Sequence, residues 1–326
     1  MSITRSPHRL AVAAAACVTA LAAVGCGEDD AKPDVAIAPV AAGSIVYEKE
    51  LGADTQLYRA RPDGTGERQL THVDGNAMHP DWSPDGKQIV FHIEHKNAKP
   101  RAYCSVASMN ADGSGLIDLA NRRRGCDGWP SFTADGRRIE FVNYDDVKDV
   151  EGVASMDITG GDRRDIKTLW RMGVGHPMTS PDGKWITFVD VTEDGARNAL
   201  FAMRPDGSQL HRLTPAGWGI GDKYDWSPDG KLIVLTTHAH FLVPGESANV
   251  VTIRPDGTIA TRITRFEGGE ENAFAGSFSP DGKQIILRLE RGATYGLATV
   301  DRDGRNLRAP SEFGTERPRY IDWGTR

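Results

Sequence analysis

Asp81-Trp82-Ser83-Pro84-Asp85-Gly86-Lys87 is the stretch that decides the fold, because the chain repeats it. It returns as Ser131-Phe132-Thr133-Ala134-Asp135-Gly136-Arg137, as Met178-Thr179-Ser180-Pro181-Asp182-Gly183-Lys184, as Asp225-Trp226-Ser227-Pro228-Asp229-Gly230-Lys231 and as Ser277-Phe278-Ser279-Pro280-Asp281-Gly282-Lys283. Counted from the Trp82 position the intervals are 50, 47, 47 and 52 residues, and a clipped copy, Ile321-Asp322-Trp323-Gly324, follows 45 residues after Phe278. Proline presets φ, aspartate suits the next position and glycine accepts positive φ, so each copy spells a tight turn. Short apolar runs follow, such as Lys87-Gln88-Ile89-Val90-Phe91 and Lys231-Leu232-Ile233-Val234-Leu235. They read as strands covered on both faces.

A second hairpin alternates with the first. Leu57-Tyr58-Arg59-Ala60-Arg61-Pro62-Asp63-Gly64 leads to Gln69-Leu70-Thr71, and Leu200 to Thr214 and Val250 to Thr264 repeat it. Val106 to Ala120, Val153 to Lys167 and Leu297 to Pro310 are looser versions. One unit is therefore four short antiparallel strands, the signature of a β-propeller blade. The opening residues Ser44-Ile45-Val46-Tyr47 match the second strand of a unit, and the closing Tyr320-Ile321-Asp322-Trp323 match the first. Joined, they complete one blade and remove two open sheet edges. The expectation is an all-β, six-bladed propeller over residues 43–326, with Trp323 packed between blades.

The repeated Trp/Phe-Ser-Pro-Asp-Gly-Lys, followed by Leu-Tyr-x-x-x-x-Asp-Gly and Leu-Thr, resembles the WD40-like repeat of TolB-type propellers from Ser44 to Trp323. The resemblance implies a binding role in the cell envelope. Members of that family carry an α/β domain ahead of the propeller, where this chain has only the segment from Cys26 to Ala42. Similar propellers also serve peptidases with a separate hydrolase domain, and lyases that act on acidic sugars through histidine-bound metal.

Residues 1–25 read as a lipoprotein signal peptide: Arg5 and Arg9 precede an apolar run from Leu10 to Val24, which ends in Ala23-Val24-Gly25-Cys26. Cys26 is the expected lipidated residue, and residues 26–42, polar at first and then rich in Pro and Ala, read as a flexible tether. Lipidation would be the chain's sole attachment to a membrane and would place the propeller outside the cytoplasm, where Cys104 and Cys126 are expected to form a disulfide. The net charge of −6 falls to −8 without residues 1–25, and no basic stripe remains to hold nucleic acid; Arg122-Arg123-Arg124 reads as a solvated loop. A monomer is expected.

The 326 residues contain no Gly-x-Ser-x-Gly, no His-Glu-x-x-His, no phosphate-cradling glycine loop and no regular calcium spacing. Catalytic residues, a resident metal and a cofactor are accordingly not expected. His92, Glu94 and His95 in one blade and His238 and His240 in another are read as exposed loop groups outside the channel. His79 and His176 each precede the motif position by three residues, and Trp129, Lys223, Ala275 and Tyr320 take the same place in the other units. Together they should ring one channel mouth, with Asp222 beside them. That mixture of cationic and aromatic groups suits an envelope protein segment or a small anionic or sugar-like ligand. The alternative is a metal-dependent lyase or hydrolase acting on an anionic carbohydrate in the same channel.

Overall fold

The architecture follows from how the turn motif organises its neighbours. In a computed structural model, residues 43–96, 104–119, 125–169, 173–191, 198–215, 218–237, 245–309 and 313–324 are described. The leader, Cys26, the tether, the Arg122–Arg124 run, His238 and His240 lie outside them. At the first turn the Ser83 hydroxyl donates to Asp85 at 2.8 Å and accepts the Gln88 N–H at 2.9 Å, while Gly86 turns back at φ 67°. The same hydroxyl–carboxylate pair recurs at Thr133 and Asp135, Ser180 and Asp182, Ser227 and Asp229, and Ser279 and Asp281. Each turn thus satisfies its own backbone and sends the chain into the next strand.

The strands fall into six antiparallel sets. Blade 1 combines Arg319–Gly324 with Ser44–Leu51, Asp54–Ala60 and Arg68–Gln69, so the last strand of the chain pairs with the first. Blade 2 runs Gly75–Trp82, Gln88–His95, Cys104–Asn110 and Ile117–Asp118; blade 3 runs Cys126–Phe132, Arg138–Asp145, Val150–Asp157 and Arg164–Leu169. These two are joined by one parallel pairing, Cys104 with Cys126. Blade 4 is Gly175–Thr179, Ile186–Val191, Asn198–Met203 and His211–Arg212, and blade 5 is Ile220–Trp226, Ile233–Thr237, Asn249–Ile253 and Ile259–Arg262. Blade 6 is Glu271–Phe278, Gln284–Arg291 and Thr294–Asp301, with isolated pairings at Arg308 and Gly314 in place of a fourth strand.

Apolar side chains pack in the gaps between successive blades. Trp82 of blade 2 lies with Val46 and Leu57 of blade 1; Phe132 with Val90 and Val106 of blade 2; Phe278 with Val234 and Val250 of blade 5. Trp323 of blade 1 is buried with Ile286 of blade 6 beside Ile45 and Tyr47, between blades as expected. Cys104 and Cys126 are disulfide-bonded, with Cα atoms 4.8 Å apart, tying blade 2 to blade 3. An oxidising compartment favours that bond.

Closure leaves almost no free space at the seam. A Cβ on Gly324 would lie 2.4 Å from the Trp82 ring. Replacing Gly324 with alanine should therefore push Trp82 off blade 1 and destabilise the fold by about 2 kcal/mol, an overpacking cost. Thermal and urea unfolding measure it, and an unchanged midpoint contradicts this account of the seam.

Candidate functional site

All six inner strands carry extra residues relative to their partners. Met78 pairs with His92 and Asp81 with Val90, so three steps on one strand match two on the other. The same one-residue surplus falls between Gly128 and Ser131, Gly175 and Met178, Ala275 and Phe278, and Arg319 and Asp322, and the surplus is larger between Ile220 and Tyr224. Such bulges re-aim a side chain. In four blades the bulge holds a left-handed residue with a large ring: His79 (φ 53°), Trp129 (φ 53°), His176 (φ 50°) and Tyr320 (φ 48°). Proline follows at positions 80, 130 and 177, where its missing N–H costs the interrupted ladder nothing. Positive φ is unfavourable for bulky residues, and strain of this kind, held in place by surrounding structure, clusters at functional sites.

These rings meet at the channel. His79 stacks on Trp129 with centroids 3.6 Å apart, and Tyr320 sets its edge against both at 4.4 and 5.4 Å. His176 meets Trp129 edge-on at 6.5 Å. His79 and His176 are buried, whereas Trp129 and Tyr320 are half-buried. The residues counted off the sequence in blades 1 to 4 are thus brought together as an aromatic cap. Asp222 sits beside it, accepting from Asn198 Nδ2 at 2.8 Å and from the Tyr320 hydroxyl at 3.4 Å. Ala275 is buried and contributes no polar group.

Lys223 is placed differently. It is buried, and its Nζ donates to Asp322 Oδ1 at 3.3 Å. Burial opposes its charge, but Asp322, Asp225 and Asp81 outweigh that and hold the ammonium above its ordinary pKa. Burial also pushes the Asp81 and Asp225 carboxyls above the usual carboxylate range. These three aspartates all stand one residue before a motif aromatic, a pattern visible in the sequence but not used there.

One expectation about histidine changes. His92 is buried rather than exposed, because its Nδ1 lies 3.2 Å from His79 Nδ1 beneath the cap. Its former companions separate: His95 contacts Ser105 and Asp118, and Glu94 accepts from Asn76. Burial also drives His79 and His176 well below their ordinary pKa, and brings His92 down to about 4. The rings at the mouth are therefore neutral at pH 7 and do not switch there. Among the described residues, one group has metal-ligand spacing, His92 with Cys104 and Cys126, and both of its sulfurs are consumed in the disulfide.

Sequence reasoning missed the cationic side of the mouth. Arg288, Arg317 and Arg319 join Asp222, Lys223 and Phe274 around a cavity of about 240 Å³. Arg288 lies over the Phe274 ring at 4.2 Å and pairs with Glu290, which also takes Arg317. Arg319 pairs with Glu48 at 3.1 Å, and burial raises that carboxyl to about 7. Arg317-Pro318-Arg319, a short basic run that enters the closing strand, was the available signal.

No family model matches the chain. An uncharacterized protein of Agrobacterium fabrum is 31% identical over 144 residues, 41% of this chain and 46% of that protein. The chain spans less than half the length of the curated relatives it matches. TolB from Acinetobacter baumannii has the same fold, with a TM-score of 0.67 at 21% identity over 86% of this chain and 66% of that one. An oligogalacturonate lyase in complex with manganese gives a TM-score of 0.55 at 12% identity, over 81% of this chain and 73% of that one. The propeller is thus TolB-like in fold.

The buried histidines set a pH dependence with a definite sign. The folded pKa of His92, about 4, lies below its ordinary 6.5, so its contribution is complete above pH 6.5 and is lost as pH falls toward 4. That loss amounts to roughly 3 kcal/mol. Glu48 and Glu140, both raised to about 7, act oppositely: their contribution is complete below their ordinary 4.5 and is lost as pH rises through 7. In urea unfolding from pH 7 to pH 4, His92→Asn should therefore lose less stability than the parent. Parallel curves for the two proteins would contradict the assignment.

Proposed function

We propose that this chain is an exported, non-enzymatic lipoprotein of the cell envelope. In this reading lipidated Cys26 is its anchor and the channel mouth captures an anionic group on a protein segment. The observation that carries the reading is the cavity beside the aromatic cap. Four cationic side chains, Lys223, Arg288, Arg317 and Arg319, line it against a single lining carboxylate, Asp222. Guanidinium groups backed by buried partners are pre-organised for a carboxylate, and aromatic faces supply the contact area around it. The TolB-like fold and the disulfide fit an exported binding protein.

Lys223 is a poor probe of this site, because removing it leaves buried carboxylates uncompensated, a loss of about 3–5 kcal/mol in comparable cases. Arg317 is the better one, with 40% of its side chain exposed. A photocrosslinking residue at exposed Glu270, beside the mouth, should trap a partner in cells, whereas one at exposed Asp85, on the turn face, should not. Arg317→Ala should reduce the Glu270 adduct about tenfold, the effect of losing one charge-assisted hydrogen bond. Equal trapping at Asp85, or indifference to Arg317→Ala, would assign the wrong face. Manganese-dependent cleavage of an acidic oligosaccharide would instead support the rival enzymatic reading. Cys26→Ala should move the protein from the membrane to the soluble fraction; retention on membranes at high salt would sink the anchor.

A further inference from the structure

One interblade gap breaks the packing rule that the others follow. In blades 1, 2, 3, 5 and 6 the motif position holds Trp323, Trp82, Phe132, Trp226 or Phe278, each set against the preceding blade. Blade 4 has Thr179 there. The residue that receives the aromatic on the preceding blade is fixed by register. It is Val46, Val90, Val234 or Ile286 in four gaps, and in a fifth it is Thr187, which accepts from Trp226 Nε1 at 2.9 Å. In the gap facing Thr179 it is Glu140, paired opposite Ser131. Both sides of one contact have changed together, from apolar and aromatic to polar.

The result is a cavity of about 600 Å³ between blades 3 and 4 on the turn face, remote in the fold from the channel mouth. Glu140 lines it and is only 3% exposed; the Thr179 hydroxyl lies beside it and favours its ionised form, yet neither Glu140 Oε2 nor Thr179 Oγ1 completes a hydrogen bond of normal geometry among the described residues. Burial raises this carboxyl to about 7. Asp135, Asp165, Asp182 and Asp206 supply four more carboxylates around the opening. The two cations that line it, Arg138 and Arg164, are both held by Asp162 at 2.8 and 2.5 Å. A buried carboxyl with a free oxygen is costly unless something pairs it.

We propose that this cavity binds a primary alkylammonium group, such as the end of a lysine side chain, with Glu140 at its floor as the pairing carboxylate and Thr179 as a second acceptor. The pocket has the volume of a small-molecule site, and its surplus of carboxylates selects a cation. An aromatic ring at position 179 would fill the space, as it does in the other blades.

The test uses the full chain and N-acetyl-lysine methylamide, with its Nζ-acetylated and uncharged counterpart as control. Amide NMR shifts should saturate around Thr179 and Ile186 with the charged probe and not with the acetylated one. Glu140→Gln should weaken binding about tenfold, and Thr179→Phe should abolish it. If Thr179→Phe alone does not fold, the Glu140→Val/Thr179→Phe pair restores the pattern of the other blades and should fold without binding. Equal binding of both probes, full affinity in Glu140→Gln, or no saturable shift would overturn the proposal.

Discussion

A carboxylate on one inner strand accepting the backbone N–H of the next blade's motif aromatic is the interaction on which the ring rests. Asp322 takes the Trp82 amide at 2.9 Å, Asp81 takes the Phe132 amide at 2.8 Å, and Asp225 takes the Phe278 amide at 2.8 Å. Ser277 closes the seam by accepting the Trp323 amide at 2.7 Å. Apolar side chains fill the gaps between blades, and these bonds fix the height of one blade against the next. Three carboxylates drawn toward one axis repel each other, and Lys223 answers them. The lysine thus belongs first to the fold and only secondarily to the rim of the mouth.

The same inner strands aim their side chains at the other end of the channel. A bulge in each strand frees residues from the pleat, and in four blades one of them is a large ring in left-handed backbone. The stack of His79 on Trp129 over His92 is dry enough to keep the imidazoles neutral. Positive charge at the mouth therefore comes from Lys223 and the arginines, and arginine stays charged under burial where histidine does not.

Much of this was legible in the sequence. Five turn motifs, their spacing and the split blade at the two ends specify the propeller, the strand order and the position of Trp323. Counting back three residues from each motif located His79, Trp129, His176 and Tyr320, because every blade is built in one register. The same count reached Lys223, which lines the mouth cavity, but it did not reveal that a bulge of different length also brings its ammonium to Asp322. His92 escaped notice because strand alternation says which face a residue takes, not what crosses from the neighbouring blade. The arginines come from two blades and converge only on closure. Thr179 and Glu140 each look like a minor departure alone, and their meaning depends on facing each other.

Backbone amide hydrogen exchange at Trp82, Phe132 and Phe278 tests the central claim most directly. If the carboxylate bonds hold the ring, these three amides exchange only when the whole propeller opens, with protection matching the global unfolding free energy. Fast exchange at any of them, independent of global stability, would show that the blades are held together by something else.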